Sequence, residues 1–243
     1  MPRKLSSEAY RYIILALCHF GGRAGFSDIR SFLGKHGVGF SPQHLNAALS
    51  LLRRRGIISR VDKGVYILER VAPICLVSSS FDKFSYVGAL GRREHREISE
   101  PEIAIWLLKK AGFELVEKVV ITTEDGRKNW ADREIIFGNI GISFVSDLSL
   151  EELKNIELMR RRVEEIVYDL SDRTIPIIDC TSLNKVYTIA AYQVATTKHL
   201  PLIYIYEDTK ELVWLQSVDE LRKRINSLLL SLLSKSDYSN RDI

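Results

Sequence analysis

The fold of this chain is decided by residues 175–185, which read Ile175-Pro176-Ile177-Ile178-Asp179-Cys180-Thr181-Ser182-Leu183-Asn184-Lys185. Four apolar side chains in a row suit a strand that is covered on both faces of a sheet. The polar residues that follow suit a turn, and residues 186–198 continue as a helical segment. A strand, a turn and a helix in this order predict one unit of an α/β sheet.

The same alternation extends to both sides of that stretch. Further apolar runs predict strands at residues 74–77, 119–121, 142–145, 202–206 and 212–215, the last of them an antiparallel edge strand. Capping-box spacing opens three amphipathic runs, at Ser99 with Glu102, Ser149 with Glu152 and Ser217 with Glu220. The pattern predicts a doubly wound α/β domain over residues 71–236, with a mostly parallel sheet flanked by helices.

Polar side chains follow three of the predicted strands. In an open α/β sheet, ligands bind beyond the carboxyl ends of the strands, where the connections diverge. The candidate ligand-binding residues are Ser78, Ser79, Thr122, Thr123, Asp179, Thr181, Ser182, Asn184 and Lys185. Hydroxyl groups, an amide and a lysine near a helix N-terminus can hold phosphates or a ribose. The alternative is that Thr181, Ser182 and Asn184 only cap the helix that follows them.

Residues 1–70 differ in charge and pattern from the rest of the chain. They hold 12 Lys and Arg against 4 Asp and Glu, whereas the remaining residues hold 23 against 27. Such an imbalance points to a polyanionic partner for the first part. Helical spacing predicts helices near residues 7–20, after Ser27 and after Ser41-Pro42, and residues 57–60 and 65–68 predict a hairpin.

This order of three helices and a hairpin resembles the winged helix-turn-helix family over roughly 60 residues. A helix of this kind fits the major groove of DNA, and its exposed face would carry Gln43, His44, Asn46 and Ser50 to the base edges. The arginine run and the hairpin would contact phosphates through Arg53, Arg54, Arg55, Arg60 and Lys63. Two alternatives remain open: the arginines complement a helix end, or the module docks proteins.

The strand, turn and helix at residues 177–191 also resemble the signature of CRISPR-associated Rossmann-fold (CARF) domains, which runs Asp-x-Thr-Gly-Gly-x-Lys before a helix of small residues. Asp179, Thr181 and Lys185 match that motif. Thr122 and Thr123 are similar to the second motif of the family, and Ser78 and Ser79 match by position only. Both motif glycines are replaced, by Ser182 and Leu183, and the winged helix precedes the Rossmann-like domain instead of following it.

The resemblance implies a homodimer that binds cyclic oligoadenylate, a second messenger of viral infection, and some family members also cleave that ring slowly. A basic loop, with Arg92, Arg93, His95 and Arg96, is a candidate for contacting a nucleotide or DNA, or else is a solvated loop. The final helix carries Val218, Leu221, Ile225, Leu228 and Leu232 at helical spacing. That seam suits a partner helix or packing within the chain.

Several classes of function lack their sequence signals. The chain has no GxSxG, Walker or metal-ligand spacing, so no cofactor or metal is expected, and no apolar run is long enough to span a membrane. Its three cysteines are far apart, which predicts neither a disulfide framework nor a zinc site and suits a reducing cytoplasm. Residues 237–243 are polar and are expected to be disordered.

The charge pattern and the two resemblances together imply a cytoplasmic DNA-binding transcriptional regulator, controlled by cyclic oligoadenylate in CRISPR antiviral defence, and the sequence shows no strong catalytic constellation. One alternative is a dimeric DNA-binding protein whose Rossmann-like domain has lost ligand binding. Another is an enzyme that cleaves the cyclic nucleotide. A third is a magnesium-dependent nuclease, because Asp179 together with Asp208 and Lys210 resembles the carboxylate and lysine set of restriction-type nucleases.

Overall fold

The computed structural model describes residues 7–78, 80–93, 96–206 and 208–234. The predicted ligand residue Ser79, the loop residue His95 and the predicted disordered tail at 237–243 lie outside the described residues. The chain divides into two compact units: residues up to 81 with those from 222 onward, and residues 82–221. The domains predicted at residues 1–70 and 71–236 have different bounds from these units.

The first unit contains three helices and a small antiparallel sheet. Its elements are α1 (Ser7–His19), β1 (Arg23–Gly25), α2 (Phe26–Lys35), α3 (Pro42–Arg54), β2 (Ile58–Asp62) and β3 (Val65–Leu68). Strand β3 pairs with β2 on one side and with β1 on the other. The predicted three helices and hairpin are confirmed, whereas the short strand β1 was not predicted.

Helix α3 follows its sequence signals closely. The Ser41 hydroxyl accepts a hydrogen bond from the His44 backbone N–H at 3.2 Å, and Pro42 occupies the first helical position. The apolar stripe is buried and consists of Leu45, Ala48, Leu49 and Leu52. For α2 the predicted cap was wrong, because Gly25 is the N-cap and Ser27 lies inside the helix.

Cys18 and Cys75 form a disulfide within the first unit, with their Cα atoms 5.3 Å apart. Both residues are buried. The sequence-based expectation of no disulfide was therefore wrong. The 57 residues between the two cysteines carried no information on their separation in space, because α1 and the segment containing Cys75 pack together in the fold.

The second unit is an α/β structure with a six-stranded sheet. Its strands are β4 (Phe84–Ala89), β5 (Leu115–Ile121), β6 (Ile142–Val145), β7 (Ile175–Asp179), β8 (Leu202–Tyr206) and β9 (Glu211–Gln216). Its helices are α4 (Glu100–Lys110), α5 (Glu124–Lys128), α6 (Glu134–Ile140), α7 (Ile156–Ser171) and α8 (Lys185–Lys198), and α9 (Val218–Ser234) follows them in the chain. The strand order is β6-β5-β4-β7-β8-β9, and only β9 is antiparallel.

The first predicted strand of this sheet was wrong. Residues Ile74–Val77 form a 3₁₀ helix, closed by a hydrogen bond from the Ser78 N–H to the Cys75 carbonyl. A short buried apolar run does not by itself distinguish a strand from a buried helical turn. Strand β4 is one of the two central strands, and all six of its residues are buried although its serine and glycine interrupt the apolar pattern.

The helix signals of the second unit were only partly informative. Ser99 and Glu102 form the capping box that starts α4. Ser149 and Glu152 make the same contacts but start only a 3₁₀ turn, and α7 is capped by Asn155 instead. In the predicted seam of α9, Val218, Leu221 and Ile225 are buried and Leu228 is 44% exposed, and the side chain of Leu232 lies outside what the structure describes.

The order of the strands fixes where a ligand pocket can form. Chain connections leave β4 toward β5 on one side and reach β7 on the other. The carboxyl ends of these three parallel strands therefore meet at one edge, at the point where the connections diverge. Across the described residues, none of the helices combines the length and apolar character needed to cross a membrane.

Candidate functional site

A cavity of about 790 Å³ opens at the carboxyl ends of β4, β5 and β7. That volume lies in the range of small-molecule sites. Its charged and polar lining consists of Arg92, Arg96, Glu100, Thr123, Glu124, Asp125, Thr181, Ser182, Asn184, Lys185 and Thr188. Its apolar lining includes Leu90, Leu148, Leu150, Leu153, Leu183 and Tyr204. The cavity therefore combines an apolar wall with polar groups from several loops.

Asp179 belongs to the interior beneath this cavity and does not line it. One carboxylate oxygen accepts hydrogen bonds from the backbone N–H and the hydroxyl of Thr181, and the other accepts one from the Tyr86 hydroxyl at 2.7 Å. Burial raises the pKa of the Asp179 carboxyl, whereas these hydrogen bonds act to lower it. Asp179 thus shapes the loop that follows β7.

Two buried tyrosines hold Asp179 from below. Tyr86 reaches its carboxylate, and the Tyr187 hydroxyl donates to its backbone carbonyl at 2.8 Å. Burial raises the pKa of both phenols well above the ordinary value, so both remain donors. Gly88 makes room for this arrangement, because a Cβ at that position would lie 2.2 Å from the Tyr86 hydroxyl oxygen.

Several predicted ligand residues have side chains that are hydrogen-bonded to backbone groups of the chain itself. Thr122 is buried and its hydroxyl donates to the Leu90 carbonyl. Thr123 caps α5, and its hydroxyl accepts from the Gly126 N–H at 2.9 Å. Asn184 caps α8, with its carbonyl oxygen accepting from the Tyr187 N–H and its amide donating to the Leu153 carbonyl. For these side chains the capping alternative accounts for the polar pattern.

The Thr181 hydroxyl is also engaged on both sides. It donates to Asp179 and accepts from the Ile205 N–H at 2.8 Å, which ties the loop after β7 to β8. The neighbouring Cys180 is buried, its thiol donates to the Ile203 carbonyl, and burial raises its pKa to about 12. The floor of the cavity is therefore a closed hydrogen-bonded layer.

Among the described residues, unused hydrogen-bonding capacity remains on several lining groups, including Ser182, Lys185 and Arg92. The Ser182 hydroxyl is buried, and it has no hydrogen-bond partner in the part of the chain that the structure describes. Lys185, the first residue of α8, and Arg92 are exposed and form no hydrogen bond or ion pair there. An N-terminal helix end and two cations favour an anion at this place.

Leu183 lies at a position where the CARF-type motif has glycine. Its φ is 78°, in the left-handed region that glycine adopts without cost. The backbone approach is also close, because a Cβ on Gly91 would lie 3.4 Å from the Leu183 nitrogen. The turn thus has the backbone shape of a glycine turn although a leucine occupies it.

Sequence reasoning placed Ser78 in this site through the wrong first strand. The residue follows the 3₁₀ helix and belongs to the first unit, where its hydroxyl is 2.9 Å from that of Ser80. The basic loop, by contrast, does supply Arg92 and Arg96 to the cavity. Glu100 was not singled out, although it is the first residue of a helix whose capping box was recognised.

No protein-family model and no curated protein matches this sequence. Solved structures with partial likeness include Can2 from Sulfobacillus thermosulfidooxidans in complex with cyclic tetra-adenylate (16% identity, 55% of this chain, 35% of that one, TM-score 0.40). They also include protein VC1899 from Vibrio cholerae (15%, 55%, 33%, 0.41) and Csm6 from Enterococcus italicus bound to cyclic hexa-2'-fluoro-hexa-dAMP (10%, 65%, 40%, 0.41). This chain covers 40% or less of each of them, and at such scores no function is carried over.

The predicted DNA-contacting residues lie on α3 and the hairpin of the first unit. Gln43, Asn46, Ser50, Arg53, Arg54, Arg60 and Lys63 are exposed, and His44 and Arg55 are partly buried. The Arg60 side chain donates to the Asp62 carbonyl, which holds it along the hairpin. One guanidinium nitrogen of Arg55 is buried without a partner among the described residues. The exposed residues of α3 form a polar face opposite the buried stripe of that helix.

The nuclease alternative depends on a cluster of metal-ligating side chains and on Asp179. The described residues contain no group of three or more His, Cys, Asp or Glu side chains that could hold a metal ion. Asp179, which the nuclease alternative requires as a ligand, has both oxygens occupied by protein donors.

Proposed function

We propose that this chain is a DNA-binding transcriptional regulator whose second unit binds a cyclic oligoadenylate in CRISPR antiviral defence. The observation that carries the proposal is the cavity at the carboxyl ends of the parallel strands, with Lys185 and the Ser182 hydroxyl unpartnered in the described chain beside a wall of leucines. Phosphates suit the cation at the start of α8, and bases suit the apolar wall. The Asp-x-Thr-x-x-x-Lys pattern adds the resemblance to CARF domains.

The first unit supports the DNA-binding half of the proposal. Its three helices and hairpin follow the order expected for a winged helix-turn-helix, with β1 added after the first helix, and residues 1–70 carry a net positive charge. The exposed face of α3 would enter the major groove, with Arg53 and Arg54 toward phosphates. Electrostatic attraction to the phosphate backbone supplies most of the non-specific affinity of such a module.

The proposal includes a second copy of the chain. On α8, Ile189 is 42% exposed and Tyr192 is 54% exposed, and their spacing from Lys185 puts all three on one helical face. An apolar surface next to a cavity rim suits a partner of the same kind, and a two-fold dimer would match paired half-sites on DNA.

Two titrations test the proposal with the full-length chain. Calorimetry with cyclic tetra-adenylate is expected to show binding that Lys185→Ala weakens about 10-fold, the loss of one charge-assisted contact. Lys198→Ala, at the far end of the same helix, is the matched control and is expected to bind as the wild type does. Fluorescence anisotropy with duplex DNA from upstream of the gene, with and without the ring, measures the coupling, and light scattering measures whether the chain is dimeric.

Each alternative has its own outcome in these experiments. DNA binding without any response to the ring would favour a dimeric protein that has lost ligand binding. Linear oligoadenylate appearing on chromatography would favour ring cleavage, and magnesium-dependent cuts in the duplex would favour a nuclease. A chain that binds neither the ring nor DNA would overturn the proposal altogether.

A further inference from the structure

The cavity contains a second unpartnered oxygen, on Glu100. Its side chain is 3% exposed, and its Oε2 atom has no hydrogen-bond partner among the described residues. Buried polar atoms are almost always paired in native proteins, and leaving one unpaired carries a free-energy cost. Glu100 Oε2 and the Ser182 hydroxyl line the same cavity, so one ligand could satisfy both.

The orientation of Glu100 is fixed by its surroundings. It is the first residue of α4, next to the cap residue Ser99, and its Oε1 atom forms an ion pair with the guanidinium of Arg96. Arg96 and Glu100 line this cavity and also a smaller one of about 340 Å³ that Glu97 helps to form. With one oxygen held by Arg96, a single acceptor oxygen remains for a ligand.

The charge of Glu100 limits what it can contact. A carboxylate repels a phosphate, so it does not bind the ring backbone. An acceptor oxygen in a nucleotide pocket receives a hydrogen bond from an N–H or O–H donor. In an oligoadenylate, that donor is the exocyclic amine of adenine or the ribose hydroxyl. The leucines on the cavity wall, Leu148, Leu150 and Leu153, offer an apolar surface for the faces of a base. That surface favours the base over the sugar.

We infer that Glu100 is a specificity-determining residue that accepts a hydrogen bond from the exocyclic amine of adenine. The inference rests on the proposed function, because it requires that the cavity bind an adenine nucleotide. One free oxygen matches the one amine of adenine, whereas the guanine edge presents two adjacent donors and calls for both carboxylate oxygens. The Ser182 hydroxyl can donate to a ring nitrogen, which adenine offers and a phosphate-only ligand does not.

The test compares rings that are altered either at the base edge or at the ribose. Cyclic tetra-inosinate replaces the amine of each base by a carbonyl and protonates the adjacent ring nitrogen, and a 2'-fluoro cyclic tetra-adenylate removes the ribose hydroxyl while keeping the adenine edge. By calorimetry, the wild type is expected to bind the inosinate ring at least about 10-fold more weakly than the adenylate ring. The 2'-fluoro ring is expected to bind like the adenylate ring.

Glu100→Gln makes the assignment specific to this residue. The amide oxygen can keep the contact with Arg96, and the amide nitrogen then replaces the free acceptor with a donor, which fits the inosine carbonyl. The preference for adenylate over inosinate is therefore expected to disappear or to reverse. Glu97→Gln, which lines only the smaller cavity, is the matched control and is expected to keep the wild-type preference.

The outcomes separate this inference from the proposed function. Equal binding of the adenylate and inosinate rings by the wild type would overturn the role of Glu100 while leaving ring binding intact. This comparison uses only the wild-type protein, so it does not depend on whether a variant folds. A loss confined to the 2'-fluoro ring would assign the oxygen to the ribose and overturn the inference. A full preference for adenylate in Glu100→Gln would do the same. Failure of the wild type to bind any ring would remove both.

Discussion

The sequence predicted ligand contacts both for the polar face of α3 and for the polar loops around the cavity. In the structure, the side chains of these two regions differ in what they contact. On α3, Gln43, Asn46 and Ser50 are exposed on the face opposite the buried stripe. Around the cavity, Thr122 is buried, and Thr123 and Asn184 cap helices of the chain itself. A polar side chain on the exposed face of a helix is free to contact a partner. A polar side chain in a turn after a strand is usually hydrogen-bonded to the backbone of that turn or of the next helix.

The sharpest test of that comparison is to remove one donor from the closed layer under the cavity. Tyr86→Phe leaves one Asp179 oxygen buried without its donor, and we expect the free energy of unfolding to fall by about 2–3 kcal/mol at neutral pH. Burial already raises the pKa of Asp179 in the folded state, and losing this hydrogen bond raises it further. Urea denaturation at neutral and mildly acidic pH measures both effects.

The sign of the pH dependence follows from the raised pKa. A carboxyl whose folded-state pKa exceeds its unfolded value favours the folded state as it takes up a proton, so stability from this group falls as the pH rises through that pKa. The deficit of Tyr86→Phe should therefore shrink as the pH is lowered. Tyr206→Phe, at an exposed tyrosine outside the proposed dimer surface, should leave the stability unchanged. A deficit that is independent of pH would mean that Asp179 is not what Tyr86 stabilises.

A smaller effect is expected on the exposed side of the comparison. Arg53→Ala should weaken binding to duplex DNA about 3- to 10-fold at low salt, and it should reduce the slope of log affinity against log salt by about one. The change should be similar for all DNA sequences, because a phosphate contact does not read bases. Fluorescence anisotropy over a range of salt concentrations measures both quantities.

Arg30→Ala removes an exposed cation of the same unit that lies on α2 instead of α3. Its salt slope should equal that of the wild type. If the wild type, Arg53→Ala and Arg30→Ala all show the same slope of log affinity against log salt, this would argue against α3 as the DNA-contacting helix.

The smallest effect is expected at Leu183, in the turn between β7 and α8. Leu183→Gly should raise the free energy of unfolding by about 0.5–1 kcal/mol, because glycine adopts a φ of 78° without the cost that leucine carries. Leu183→Ala keeps the Cβ and should gain nothing from the backbone. Thermal or urea denaturation compares the two, and an alanine variant as stable as the glycine variant would show that the backbone of this turn carries no strain.

Sequence reasoning succeeded where one local pattern has one structural solution. Ser41-Pro42 and the stripe of Leu45 and Leu49 allow only a helix with that start, and alternating segments from 115 onward gave the parallel sheet. It failed at β4, because Ser85 and Gly88 are in a buried strand for reasons that are not local. The Ser85 hydroxyl accepts a hydrogen bond from the Thr174 hydroxyl, and Gly88 leaves room for the Tyr86 hydroxyl that reaches the distant Asp179.

The cavity shows the same limit. The loops were predicted correctly after β5 and β7, but the residues with unused capacity were not distinguished from those that cap helices. Whether Ser182 or Asn184 keeps a free group depends on backbone atoms that fold up to it, such as the Leu153 carbonyl. Glu100 was invisible for a related reason, since only the ion pair with Arg96 reveals that one of its oxygens is left over.

The state of the three cysteines has a practical consequence for experiments. Cys18 and Cys75 are joined to each other, and Cys180 is buried with a thiol pKa of about 12, so the oxidised folded chain offers no thiolate to a maleimide dye at neutral pH. A single cysteine introduced on the cavity rim, for example Leu150→Cys at a side chain that is 73% exposed, would then be labelled alone. Its fluorescence would report occupancy of the cavity without removal of any native cysteine.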